Sequence, residues 1–234
     1  MQHERPARAV LVAFSGLDGA GKSTQIELLM EDLRQSGGRP RCLWTRGGYT
    51  PLLQSAKGLM RRAAGRSLPP PGRSEAHSQA FSRNRTRRLW LILAMLELLW
   101  IYGVQLRWWR LTGRSVVCDR YLWDTLIDFR LNFPQETVER WVLWRLLARC
   151  TPRPDAAFLL LIPVEESLRR SQLKGEPFPD PPEVLEARLK EYRLIAASGS
   201  SFHAIDGTRP REETAAFVRE TIAPVCERRT NGAA

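Results

Sequence analysis

The chain has 234 residues and a formal net charge of +11, carried almost wholly by arginine, since lysine occurs only at 22, 57, 174 and 190. That length holds one α/β domain with a sizeable core or two small domains, and a 43% apolar share belongs to a folded chain, not a disordered one. Four scattered cysteines (42, 118, 150 and 226) and three isolated histidines argue against a disulfide framework or a Cys/His metal cluster and fit a reduced, cytoplasmic setting.

The N-terminal run "MQHERPARAV" has no signal-peptide apolar core. "AVLVAFSG" (9–16) is predicted as a buried strand, and "KSTQIELLMEDLRQSGG" as a helix ended by a double glycine. "PRCLWTRGG" (40–48) is a second strand with Arg46 near its end, and "TPLLQSAKGLMRRAAG" a helix. Prolines and small polar residues make about 65–79 a mobile loop. A long helix is predicted over Gln79 to Leu111, then a strand over 115–120, a helix in "ETVERWVLWRLLARC" and a strand over 156–163. "EESLRRSQ" and "PEVLEARLKEYRLIAA" are helices around a proline-rich turn, which gives a lid-like segment at about 170–183. "FHAID" is a last strand before a closing helix. Apolar strands alternating with helices predict one domain over 1–234, a parallel sheet covered on both faces.

The stretch "FSGLDGAGKSTQ" carries the most chemistry. Gly16, Gly21, Lys22 and Ser23 match G-x-x-x-x-G-K-[ST] between a strand and a helix. Loop residues Gly19, Ala20, Gly21, Lys22, Ser23 and Thr24 are candidates to hold the phosphates of ATP, with backbone N–H groups and the helix N-terminus facing the anion. Lys22 reaches the β- and γ-phosphates, and Ser23 is a candidate ligand for Mg2+.

Asp18 inside the loop either accepts from an acceptor hydroxyl or stabilises the turn. "CDRY" follows the third apolar strand, at the sheet edge where ligands bind in open α/β folds. Asp119 there is a candidate for the magnesium ion and Arg120 for a transferring phosphate; the alternative is an internal ion pair between the two. Arg46 ends a strand toward the same crevice. Arg169, Arg170 and Lys174 are either lid residues that close over phosphates or a charged helix face.

With these motifs in this order, the chain resembles the thymidylate kinase family of P-loop nucleoside-monophosphate kinases. The resemblance rests on "FSGLDGAGKSTQ", "TRGG", "VVCDRY", "SLRRSQLKGEPFPDPPEVLEARLKEY" and "IDG", over nearly the whole chain. It implies a P-loop kinase three-layer fold with a five-stranded parallel sheet in the order 2-3-1-4-5, and a helix-packed homodimer. It implies ATP and magnesium at Lys22 and Ser23, an acceptor-sugar contact at Asp18, acceptor-phosphate contacts at Arg46 and Arg120, and further basic groups from the lid.

The chain also departs from the family pattern. Ser15 stands where a glutamate is usual, and Gly47 and Gly48 replace Glu-Pro after Arg46. The run after the DRY motif usually brings a serine and then a Tyr-Gln pair. Here it is "DRYLWDTLIDFRLNF", which makes Tyr121, Asp124, Asp128 and Arg130 the acceptor-side candidates. Ala94 and Leu98 fall near the positions of the family's base-reading aromatic and arginine, with Phe81 and Arg85 as substitutes. Asp124 and Asp128 repel a phosphate if they face the acceptor; otherwise they lie on an exposed helix face. The departures predict weak turnover of thymidylate.

"LWLILAMLELLWIYGVQLRWW" (89–109) is long enough to cross a bilayer, but Glu97 interrupts it and it falls inside the α/β pattern. It is predicted as a core or dimer-interface helix, with peripheral membrane contact as the alternative. The function expected is ATP-dependent phosphoryl transfer to a small acceptor, a nucleoside monophosphate by default. A nucleoside, sugar or lipid-linked alcohol is the alternative acceptor, a P-loop nucleotide switch the alternative to a kinase, and nucleic-acid binding rests on charge alone.

Overall fold

Strand β1 (Leu11–Gly16) is buried along its whole length, which only the middle of a sheet covered on both faces allows. Its residues divide by pleat parity. Val12 and Phe14 enter one core with Ile26, Leu29 and Leu33, while Leu11 and Ala13 enter another with Leu91, Met95 and Leu98. The computed structural model describes residues 9–45, 84–175, 180–197 and 202–231. Arg46, Gly47, Gly48, Phe81, the helix read after Arg46 and the loop at 65–79 lie outside the described residues, as do 176–179 of the lid-like segment.

The five parallel strands run in the order β2-β3-β1-β4-β5, as the resemblance implied. Strands β2 (Arg41–Trp44), β3 (Val116–Asp119), β4 (Ala156–Leu161) and β5 (Phe202–Asp206) join β1. Helix α1 (Lys22–Gln35) starts one residue past Gly21, whose left-handed φ of 90° ends the phosphate loop. On the first core face α1 packs with α7 (Pro182–Ala197) and α8 (Arg211–Asn231).

The second face carries α2 (Asn84–Trp100), which continues through a π-helical turn (Ile101–Gln105) into α3 (Leu106–Leu111). A π turn shifts the helical register and often marks a working site. Here it puts Tyr102 at 0% exposure with its hydroxyl 2.8 Å from Thr45 Oγ1, just past β2. Residues 122–132 form α4 (Leu122–Asn132), the helix that the exposed-face alternative for Asp124 and Asp128 supposed. The helix predicted from Glu136 begins instead as a 3-10 turn (Val138–Arg140), and α5 (Val142–Cys150) follows Trp141. Helix α6 (Val164–Leu173) follows β4 and leads toward the lid-like segment.

The long apolar helix is core on one side only. Leu91, Ala94, Met95, Leu98, Tyr102 and Leu106 are buried, whereas Leu89, Leu93, Leu96, Trp100, Val104 and Trp108 form an exposed stripe at helical spacing on the other. By length and composition it is the one helix among the described residues that is long enough to cross a membrane. Its inner half is nevertheless spent on the sheet.

Candidate active site

At the C-terminal ends of β1 and β3 a polar cavity is lined by Asp18, Gly19, Gly21, Lys22, Ser23, Trp44, Asp119, Arg120 and Lys174. The adjacent strands bring the phosphate loop and the residues after β3 together, since Phe14 pairs in register with Asp119. Lys22 is almost fully buried and donates to the carbonyls of Gly16 (3.1 Å) and Leu17 (2.7 Å). Burial, and then the neighbouring Arg120, bring its pKa from 10.5 down to about 8. The ammonium is held beside the cavity with two backbone dipoles where an anion would serve it better.

Asp119 carries the opposite imbalance. Its Oδ1 is buried with no hydrogen-bond partner, and burial pushes its pKa up. A buried, unpartnered carboxylate oxygen beside an exposed Ser23 hydroxyl is a donor set of hard oxygens, which fits a magnesium ion bound by one or two protein groups plus phosphate. Among the described residues no cluster of three or more metal-ligating side chains exists.

Arg120 is the only non-glycine described with a positive φ, 70°. Such a conformation costs about 1–3 kcal/mol and persists where the surroundings over-determine it. They do: its N–H donates to Phe14 O (2.9 Å), its carbonyl accepts from Thr45 Oγ1 (3.1 Å), and its guanidinium meets Asp18 Oδ1 at 2.5 Å. The guanidinium thus pairs across the cavity with the loop, and not with Asp119 in the internal pair that was the alternative reading.

Helix α6 supports the loop from behind. Ser167 Oγ donates to Asp18 O (2.7 Å), and Arg170 Nη1 donates to Gly19 O (3.1 Å) and to Gly207 O (3.0 Å), while its Nε pairs with Glu166. Holding these carbonyls outward leaves loop N–H groups free to turn inward. Arg170, predicted as a lid residue, therefore braces the loop. Arg169 is exposed and paired with Glu166. Lys174 alone of the three lines the cavity.

The structure moves the other acceptor-side candidates away from the cavity lining. Tyr121 is buried and its hydroxyl donates to Pro152 O at 2.6 Å. Arg130 is tied to Glu139 and Glu191. Asp124 and Asp128, read as acceptor-facing or on an exposed helix face, are neither: they are 0% and 2% exposed. Asp128 pairs with Arg188 at 2.6 Å, and Arg188 also faces Asp180. Asp124 lies 3.7 Å from Arg120. A buried carboxylate needs such a partner, and the cations offset the charge that had been expected to repel a phosphate.

No family model matches the chain. It is 30% identical over 202 residues to the thymidylate kinase of Rhodopseudomonas palustris, covering 81% of this chain and 77% of that protein. It is 25% identical to the thymidylate kinase of Geobacter sulfurreducens over 90% of this chain and 95% of that one. To the probable thymidylate kinase of Pyrococcus abyssi it is 29% identical over 72% of each. The chain belongs to the thymidylate kinase family. It is an enzyme, a phosphotransferase of the nucleotide-kinase type.

Two departures from the thymidylate kinase pattern meet in the structure. Ser15 takes the usual glutamate's place and Asp124 brings a carboxylate into the run where a serine is usual, and here Ser15 Oγ donates to Asp124 Oδ2 at 2.6 Å. Sequence reading gave no role to Tyr192, Arg188 and Ser167, although all three lie inside the quoted run from 167 to 192. One signal was available: Asp124 is three residues past Tyr121, the spacing at which a first-turn carboxylate caps its own helix, and it accepts the Tyr121 N–H at 2.9 Å.

Proposed function

We propose that this protein transfers the γ-phosphoryl group of ATP to a nucleoside monophosphate. One observation carries the reading: a single cavity lined by Lys22 and Ser23 from the phosphate loop, Asp119 and Arg120 from the end of β3, and Asp18 between them. Phosphoryl transfer asks for positioning and charge neutralisation rather than covalent help. Gly16 to Thr24 cradle the donor phosphates, and Lys22 turns from its two carbonyl partners to the β- and γ-oxygens. Arg120 exchanges Asp18 for acceptor phosphate, and the freed Asp18 carboxylate accepts from a sugar hydroxyl. Ser23 and Asp119 would hold Mg2+, which when bound neutralises charge that builds on the phosphates.

A phosphorylated acceptor is favoured over a nucleoside, sugar or lipid-linked alcohol because the one charge objection to it, Asp124 and Asp128, is answered by Arg120 and Arg188. The test is ADP release across nucleoside monophosphates, nucleosides, sugars and polyprenols. At least one nucleoside monophosphate, with dTMP the first to measure, is expected to reach a kcat/KM of about 10⁴ M⁻¹s⁻¹ or more. Turnover confined to the non-phosphorylated acceptors would overturn the reading, and ATP hydrolysis without transfer to any acceptor would favour a switch.

The exposed stripe on α2 and α3 supports a homodimer. From Leu89 to Val104 it carries no charge of its own, so a second copy laid on it buries apolar surface against apolar surface. A helix-packed pair is also what the family resemblance implies. Sedimentation should show a dimer at micromolar concentration, and Leu96→Asp with Trp100→Asp should give a folded monomer. A wild-type monomer that floats with anionic vesicles would assign the stripe to a membrane surface instead.

A further inference from the structure

We propose that Asp124 is a positioning residue for phosphoryl transfer: its carboxylate is the fixed counter-charge that keeps the Arg120 guanidinium at the phosphate site. The inference rests on the kinase reading above, and it concerns a residue that touches no substrate.

Arg120 is only 3% exposed, so protein anions and not water must balance its charge. Among the described residues two carboxylates form ion pairs with it, and they differ in kind. Asp18 belongs to the phosphate loop and its side chain is 31% exposed; an incoming phosphate can take its place. Asp124 is 0% exposed and gripped on both oxygens. Its Oδ2 accepts from Ser15 Oγ at 2.6 Å and from Tyr121 N–H at 2.9 Å, and its Oδ1 accepts from Tyr192 Oη at 2.5 Å while lying 3.7 Å from Arg120 Nη1.

These grips come from separate parts of the fold. Ser15 is the next-to-last residue of β1, Tyr121 precedes α4, and Tyr192 is on α7, the helix that follows the lid-like segment. Tyr192 also lies 3.5 Å from Arg120 Nη1 and 3.4 Å from Gly16 O. When Asp18 is displaced, Asp124 and Tyr192 remain on the other side of the guanidinium and fix where its free edge points. Arg120 also sits in a left-handed backbone conformation, which persists because its surroundings over-determine it.

Asp124→Asn separates charge from shape. An amide can still accept from Ser15 and Tyr121 through its oxygen and donate to Tyr192 through its nitrogen, but it no longer balances Arg120. The expected result is a folded enzyme whose kcat falls about 10- to 100-fold, the scale of a reacting group misplaced by about 1 Å. Its KM for ATP is expected to stay within about threefold, because the loop itself is untouched. A merely structural role would lower the folded fraction and leave the turnover per folded molecule unchanged. Ser15→Glu combined with Asp124→Ser returns a carboxylate across the same contact and is expected to recover kcat to within about tenfold of wild type. Should Asp124→Asn not fold, the Ser15→Glu and Asp124→Ser double variant carries the test, since it keeps a carboxylate at the contact, and a loss of kcat well beyond tenfold in that folded variant overturns the proposal. Unchanged kcat in the folded single variant overturns the proposal while leaving the kinase reading intact. A wild-type protein that transfers phosphate to no acceptor overturns both.

Discussion

Lys22→Ala is expected to reduce phosphoryl transfer by about 10³-fold or more while the protein still folds. Removing one preorganised donor from a developing oxyanion costs about 10²–10³ in rate, and Lys22 would serve both the ground-state phosphates and the transferring group. Lys22→Met should leave the unfolding temperature at pH 7 equal or higher, because burial makes the charged Lys22 a cost to folding. Its folded pKa lies near 8 against 10.5 for the free side chain. Between those values the unfolded chain binds more protons, so this group makes stability rise with pH from about 8 to 10.5; below 8 its full cost is present. A phosphate bound beside Lys22 reverses the shift, so ATP binding near pH 8–9 should take up protons, read as a buffer-dependent calorimetric enthalpy. Loss of fold in both variants, or binding at pH 9 with no proton uptake, would contradict this account.

Gly16→Ala should damage both the fold and the site. A Cβ built at Gly16 would lie 2.3 Å from the carbonyl oxygen of Leu160 on β4, and the residue has φ 140°. Neither can give easily, since β1 and β4 are paired in register from Val12 with Ala156 to Gly16 with Leu160. Overpacking of a rigid core costs about 1–3 kcal/mol and an unfavourable φ a similar amount. A combined loss of about 3–5 kcal/mol lowers the unfolding temperature by roughly 6–20 °C in a chain of this size. Thermal unfolding checks it. A shift of under 2 °C would mean that β4 moves away more readily than its burial implies.

Much of this was legible because the signals are local. The phosphate loop is set by Gly16, Gly21, Lys22 and Ser23 within eight residues, and α7 and β5 have the predicted limits of 182–197 and 202–206. What escaped depends on partners distant in the chain. Asp124 and Asp128 show their charge in the sequence but not the Arg120 and Arg188 that neutralise it; Arg188 is 60 residues beyond Asp128. Helix α4 entered the sequence reading only as an alternative face for Asp124 and Asp128, because its run "LWDTLIDFRLN" begins inside a motif read for chemistry. Arg170 looked like a lid residue by position, but one helical turn decides whether a side chain faces a lid or a loop, and it faces Gly19. The long apolar helix is apolar on both faces, so its periodicity could not say which side the sheet would take.

The central place of β1 has a consequence for how the chain is made. The strand that carries the phosphate loop is synthesised first, but its neighbours come late: Val10 N–H bonds to a serine 105 residues on, and Leu11 N–H to an aspartate 144 residues on. At about 5–20 residues per second of synthesis, the loop's strand waits roughly 5–30 s, apolar on both faces and unpaired. The nucleotide-binding motif precedes the strands that flank it and is not expected to fold as a unit of its own. It becomes a site only when β3 and β4 have closed around it, so nascent chains cut short before residue 156 should be degradation substrates and not partial enzymes.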